Sequence, residues 1–386
     1  MTSSLLKNLF DSHKESSLEN RYIHLEHITP LIENLKMSFQ VDVIGHSVLG
    51  KPIHVIKIGT GPKKILMWSQ MHGNESTTTK AVFDICNVFN DGSNSIIKHI
   101  LETCTMFLVP MLNPDGAKLY TRHNANNVDL NRDAKNLSQP ESRVLRDLFQ
   151  TFKPDYCFNL HGQRTIFGAG NTANSATLSF LSPAQDQACS ITETRKIAME
   201  VIAATNKVLQ EQIPNQIGRY DDAYNDNCVG DTFQTLNCPT ILFEAGHFVN
   251  DYQREITRFY MFQAILYSIY YISATRITGE GFEPYLNIPE NFKNHFDVLI
   301  RKAKMIKPPK AQVVDIAIQY QEILKNNTIE FVPIVEKIGD LSTYFGHREL
   351  SADGFELVLE NGLNITEGLE VEYVIINSVK YSIKPT

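Results

Sequence analysis

The sequence contains no Cys-x-x-Cys pair, no His-Glu-x-x-His run, no internal repeat and no low-complexity tract. Its six cysteines, Cys86, Cys104, Cys157, Cys189, Cys228 and Cys238, lie far apart. That spacing suggests neither a zinc knuckle nor a dithiol redox motif, and most of them read as small buried hydrophobes. Basic residues are outnumbered, 36 Lys and Arg against 43 Asp and Glu, for a formal net charge of -7. Nucleic acid and anionic membranes need a basic face, and no Lys/Arg cluster supplies one locally, so neither partner is expected. The opening stretch MTSSLLKNLFDSHKESSLENRY lacks an apolar segment of signal-peptide length, so either the chain is cytoplasmic or a leader is missing from this sequence, and the first is favoured. One long uncharged run exists, 17 residues from Phe259 to Thr275. It is slightly short for a bilayer and carries Gln263, Ser268, Ser273 and four tyrosines. The expectation is a helix buried in a large α/β core. Nothing in the sequence speaks to oligomeric state.

What is present is an ordinary globular composition, 42% hydrophobic and 20% charged over 386 residues. That is enough for one large domain and a smaller one. VDVIGHSVLGKPIHVIKIGTG (41–61) reads as two strands joined by a turn. ILMWSQ (65–70), TMFLVPML (105–112), DYCFNL (155–160) and TILFEAG (240–246) are apolar runs of buried strands. Helical spacing appears around Ala81, Ile85 and Val88, over 192–212, and in the Tyr/Ile-rich run. Asn113-Pro114-Asp115-Gly116 reads as a turn, and Ser138-Gln139-Pro140-Glu141 as a capping box. Strands alternating with helices predict an α/β domain over 1–284 with a mostly buried central sheet flanked by helices. KAKMIKPPK (302–310) ends a linker expected over 285–310. The short alternating strands of 311–386 predict a small all-β module, in which nothing resembles chemistry.

His72, His161 and Glu244 fall at the carboxyl ends of strands, where open α/β sheets usually place their sites. His72-Gly73-Asn74-Glu75 offers two ligands at i and i+3 in a turn, with Gly73 permitting an unusual backbone there. A zinc hydrolase needs three protein ligands, an open fourth position, a carboxylate to take a proton and a cation for the oxyanion. A second His-x-x-Glu, His99 and Glu102, sits inside an amphipathic helix and reads as surface. Glu244 is an ionisable group within an apolar strand, costly unless it faces a site.

MHGNE, LNPDG, R-x-N-A-N-x-VDLNR, the strand-terminal LHG and FEAGH, preceded by IGHSVLGKPI, occur in one order over about residues 20–275. In this the chain resembles the zinc metallocarboxypeptidases of the carboxypeptidase A type. The resemblance implies a mixed central sheet and one zinc per chain held by His72, Glu75 and His161. It implies Arg122 at the scissile carbonyl, Asn131 and Arg132 on the substrate's free carboxylate, Asp129 orienting the first histidine and Glu244 as general base. The implied partner is a peptide or peptide-like substrate with a free carboxylate. Tyr224 matches, loosely, a tyrosine that covers bound substrate. His123, His247, Asp115 and Asp133 are left as structural neighbours. Four aspartates in 220–231 suggest either a basic or diaminopimelate-like terminus or a solvated acidic loop.

Two other readings compete. A zinc N-acyl amino acid deacylase, resembling the succinylglutamate desuccinylase and aspartoacylase group, shares His-x-x-Glu and Asp-x-Asn-Arg. A non-catalytic binding protein on the same scaffold is the third, and retention of every ligand with Arg122 and Glu244 argues against it.

Overall fold

The computed structural model describes residues 1–307, 310–359 and 364–385. The first nine strands are β1 (Gln40–His46), β2 (Pro52–Ile58), β3 (Lys63–Ser69), β4 (Cys104–Val109), β5 (Tyr156–Gly162), β6 (Phe167–Ala169), β7 (Leu178–Leu181), β8 (Ile217–Arg219) and β9 (Thr240–Ala245). All but β6 form one sheet in the order β1-β2-β4-β3-β5-β9-β7-β8. The run β4-β3-β5-β9 is parallel, while β2 and β7 flank it antiparallel, so the sheet is mixed, as expected. Its central strands are nearly continuous apolar runs because helices cover both faces.

Those helices are α1 (Ser3–His13), α2 (Leu25–Leu35), α3 (Thr77–Asp91), α4 (Ser95–Thr103), α5 (Pro114–Leu119), α6 (Pro140–Phe152), α7 (Glu193–Leu209), α8 (Val229–Thr235), α9 (Glu255–Ala274) and α10 (Glu283–Leu286). The Tyr/Ile-rich run is α9, packed against α3 and α7 with Phe262, Ile265, Leu266 and Ile269 inaccessible to solvent. No described helix is long and apolar enough to cross a membrane. Two local expectations fail. Asn113 to Gly116 is not a free turn but the start of α5, where the Asn113 side chain accepts from the Gly116 amide at 2.8 Å and Pro114 needs no amide partner. The capping box does not form either. Helix α6 begins one residue later, Ser138 bonds Asp133, and the buried Glu141 reaches Asn124 and the Val48 amide. Asp133 thus ties its own loop, and Asp115 holds the Leu49 amide at 3.0 Å.

The C-terminal part departs from the expected linker and module. β10 (Asn291–Lys293) pairs with β6, and β11 (His295–Lys307), β12 (Lys310–Lys325), β13 (Thr328–Gly339) and β14 (Phe345–Ser351) form a four-stranded sheet ordered β13-β12-β11-β14. β15 (Leu357–Val358), β16 (Tyr373–Ile376) and β17 (Val379–Ser382) make a three-stranded sheet. Most of 285–310 is therefore strand rather than linker. Lys302 and Lys304 point to solvent while Ala303 and Met305 are buried, so a basic stretch is one face of a half-buried strand. The Pro308–Pro309 pair, and Glu360 at the end of an expected strand, lie outside the described residues. The sheets share a core of Val298, Ile300, Ile316, Ile318, Val335, Val374 and Ile376 with Tyr252 from the N-terminal part.

Candidate metal centre and its cavity

His72 lies just past β3 in the loop entering α3. The Glu75 amide donates to the His72 carbonyl at 3.1 Å, a tight turn that puts both side chains on one side. Gly73 serves this turn by close approach and not by an unusual backbone. A Cβ there would come within 2.0 Å of the Gly116 carbonyl carbon, and Gly73 has no positive φ. His161 ends β5, and the adjacent strand β9 places Glu244 directly opposite it in register.

Three donor atoms converge here. His72 Nδ1 is 2.8 Å from Glu75 Oε1 and 3.1 Å from His161 Nδ1, which is 2.9 Å from Glu75 Oε2. Both histidines are 2% exposed. His72 Nε2 donates to Asp129 Oδ1 at 3.0 Å, which fixes the tautomer and leaves the Nδ1 lone pair facing the cluster. The Gly162 amide donates to Glu75 Oε2 at 2.9 Å and orients that carboxylate. Two imidazole nitrogens and a carboxylate oxygen, buried and turned toward one another, fit a zinc ion with a fourth position free. Arg122 lies alongside, with Nε donating to Asp129 Oδ2 at 3.0 Å and Nη1 3.2 Å from His72 Nδ1.

The electrostatics are those of a buried charged cluster. Burial pulls the His72 pKa down, but Glu75 and Asp129 outweigh it and hold it above the usual value. Burial keeps His161 below. Burial favours the neutral form of Glu75, yet the two histidines hold it well below the carboxylate range. Asp129 is depressed in the same way, against burial, by His72 and Arg122. Glu244 goes the other way. Burial and the neighbouring Glu75 push it well above the ordinary carboxylate range, only partly offset by Arg122 and Arg254. Its Oε2 is buried and has no hydrogen-bond partner among the described residues.

A cavity of about 690 Å³ opens onto the cluster. It brings together His72, Glu75, His161, Glu244, Arg122, Asn131 and Arg132. Asn131 and Arg132 lie on a 3-10 turn, Leu130–Arg132, capped by the Asp129 side chain. The Asn131 Oδ1 accepts from the Val229 amide at 3.1 Å and from Cys228, which turns its amide NH2 outward as a donor. Arg132 is exposed and spends one nitrogen on Asn131 O and Cys228.

Tyr224 requires correction. It does not line the cavity; its hydroxyl is 3.4 Å from Thr235, whereas Tyr220, at the start of the same segment, does line it. The four aspartates also separate. Asp222 pairs with Arg195 and Asp226 with Lys135, leaving Asp221 and the buried Asp231 on the cavity wall. Burial raises Asp231 to about 6.

Residues 30–244 match the family described as zinc carboxypeptidase. The chain belongs to the zinc carboxypeptidase family. Among characterised relatives, it is 31% identical over 137 residues to carboxypeptidase SOL1 of Arabidopsis thaliana, covering 31% of this chain and 28% of that one. It is 36% identical over 83 residues to gamma-D-glutamyl-L-diamino acid endopeptidase 1 of Lysinibacillus sphaericus, covering 20% and 21%. The chain thus spans less than a third of the length of either relative. Among solved structures, the carboxypeptidase A of Helicoverpa armigera superposes with a TM-score of 0.50 at 16% identity over 70% of this chain and 80% of that one. Thrombin activatable fibrinolysis inhibitor does so with a TM-score of 0.51 at 13% identity over 69% and 80%. These likenesses establish a shared fold.

Several cavity residues carried no sequence signal. Arg254, 1% exposed, donates to the carbonyls of Gln163 at 2.9 Å, Ala245 at 2.7 Å and Gly246, clamping the ends of β5 and β9 just beyond His161 and Glu244. Arg21, Tyr120, Tyr220 and, from the C-terminal sheet, Tyr320, Glu322 and Phe331 also line the cavity. The C-terminal unit therefore belongs to the site, contrary to the expectation of a module without chemistry.

Proposed function

We propose that the protein is a metallocarboxypeptidase, hydrolysing the amide bond next to a free C-terminal carboxylate. The observation that carries this is one cavity holding a two-histidine, one-glutamate ligand set, a buried glutamate with a raised pKa, and an Asn–Arg pair with open donors. His72, Glu75 and His161 would hold zinc, which when bound supplies Lewis acidity and a water of lowered pKa. Arg132 and the Asn131 amide NH2 anchor the terminal carboxylate, for which a planar guanidinium offers a bidentate fit. Glu244 takes a proton from water as the water oxygen bonds to the scissile carbonyl carbon. It hands that proton to the departing amine as the C–N bond breaks. Arg122 donates to the oxyanion that develops on the carbonyl oxygen. Arg254 keeps the strand ends carrying His161 and Glu244 in register.

The residue released is proposed to be cationic, lysine-, arginine- or diaminopimelate-like, because Asp231 is a buried acid on the cavity wall close to Arg132 and Cys228. The test is mass spectrometry of a peptide series with free and amidated C-termini, incubated with the zinc-loaded protein beside N-acyl amino acids. Stepwise loss of one residue from free termini alone is expected. Turnover of the N-acyl amino acids alone would give the deacylase reading, and turnover of none would give the binding-protein reading.

A further inference from the structure

Two groups of cavity residues differ in chemistry. Asn131, Arg132, Cys228 and Asp231 are polar and suited to a charged terminus. Tyr120, Tyr252, Tyr320 and Phe331, the last two from strands β12 and β13 of the C-terminal sheet, are aromatic. Among the described residues no hydrogen bond or ring contact joins the two groups, and the ligand cluster lines the same cavity.

The aromatic end offers rings and not hydroxyls. Tyr252 donates to Asp297 Oδ1 at 3.1 Å, Tyr320 to the Ile383 carbonyl at 2.5 Å, and Tyr120 to Glu322. Glu322 is in turn neutralised by Arg21 Nη2 at 2.9 Å. Tyr252 meets Tyr320 edge-on at 5.1 Å and Phe331 at 5.4 Å between centroids, so the rings form one surface of which Phe331 is the half-exposed member. Gln321, between Tyr320 and Glu322, is exposed. This surface is fixed to the metal centre. Arg21, which grips Glu322, accepts on its own carbonyl from Ser76 Oγ at 2.5 Å, and Ser76 follows the ligand Glu75.

Resting on the carboxypeptidase reading above, we infer that the C-terminal sheet supplies a binding subsite for an aromatic or large apolar side chain upstream of the scissile bond. A substrate whose terminal carboxylate binds Asn131 and Arg132 brings its scissile bond to the ligand cluster, and its upstream residues then have the remainder of the same cavity, the aromatic wall included, to occupy. Its hydroxyls are paired, Glu322 is held by Arg21, and Asp297 accepts from Tyr252, Gln319 and the Tyr320 amide, so the wall presents chiefly π-faces, which favours apolar rings over charged side chains. The C-terminal unit is then a specificity element of the enzyme.

The test uses the full-length zinc-loaded protein and peptides that share the same last two residues. One has a single acylated residue before the scissile bond, and the others carry one Phe moved through the upstream positions on an Ala background. The wild type is expected to prefer Phe at one upstream position by about tenfold in kcat/KM. Phe331→Ala erases that preference, bringing the Phe-containing peptides down to the level of the Ala peptides, with Phe331→Leu as the milder variant should the first fail to fold. Gln321→Trp, on an exposed residue, lowers kcat/KM for the long peptides only. A wild type indifferent to upstream Phe, or variants that affect short and long substrates equally, would overturn the subsite while leaving the carboxypeptidase reading intact. No turnover of any free-terminus peptide would overturn both.

Discussion

Replacing Asp129 with Asn keeps the side chain's shape and removes its charge, and the structure says what that disturbs. Asp129 accepts from His72 Nε2 at 3.0 Å, Arg122 Nε at 3.0 Å and the Asn131 amide at 2.9 Å, dividing them between its two oxygens. An amide has one acceptor oxygen. With that oxygen kept toward His72 and Asn131, the new NH2 faces the Arg122 guanidinium donor to donor; with the amide turned round, it opposes the imidazole. In either orientation His72 loses the negative charge that raises its basicity as a ligand. Hydrogen bonds to charged groups contribute about 1.5–3 kcal/mol, and removing the partner behind a ligating histidine typically weakens metal binding by about 10–100-fold. At about 1.4 kcal/mol per decade the zinc Kd should rise by about 1.4–2.8 kcal/mol in free-energy terms. Competition with a fluorescent chelator at fixed pH measures it. An unchanged zinc Kd would refute the reasoning and reduce Asp129 to the cap of the Leu130–Arg132 turn.

Three further outcomes follow from the same geometry. Glu244→Gln should keep zinc and lose turnover by about 100-fold or more, because the ligands are untouched and the base is gone; metal analysis beside kcat checks both halves. Arg132→Ala should mainly raise KM for substrates with a free carboxylate, and equal losses on amidated peptides would remove its anchoring role. Asp231, raised to about 6 by burial, is neutral below that pH and charged above it. The kcat/KM ratio of Lys-terminal to Leu-terminal peptides should therefore rise as pH increases through about 6, and Asp231→Asn should flatten it. Taking the ratio cancels groups common to both substrates, Glu244 included.

His72, Glu75 and His161 are legible as candidates because they follow the apolar runs ILMWSQ and DYCFNL, and the resemblance of the ordered motifs to the zinc metallocarboxypeptidases is what joins them into one ligand set. The hidden residues owe their positions to topology. Nothing in the neighbourhood of Arg254 announces that it will cross to the carbonyls of Gln163 and Ala245, since that depends on β5 and β9 being neighbours. Tyr224 is only a loose match to the tyrosine that covers substrate, and the fold puts the half-buried Tyr220 on the cavity wall and turns Tyr224 toward Thr235. The alternation of Lys302, Ala303, Lys304 and Met305 was strand periodicity read as basic linker. Pairing between β11 and β14, some 50 residues apart, is a long-range choice that no local pattern encodes, and it adds β14 to the sheet whose β12 and β13 bear Tyr320, Glu322 and Phe331 at the cavity.

The most direct measurement of the central claim is zinc stoichiometry of the metal-stripped, retitrated protein beside His161→Ala and Glu75→Gln. The account predicts about one tightly held zinc per wild-type chain and a weakened or lost site in each variant. Wild-type protein that takes up no zinc, or variants that hold it as firmly as wild type, would contradict it.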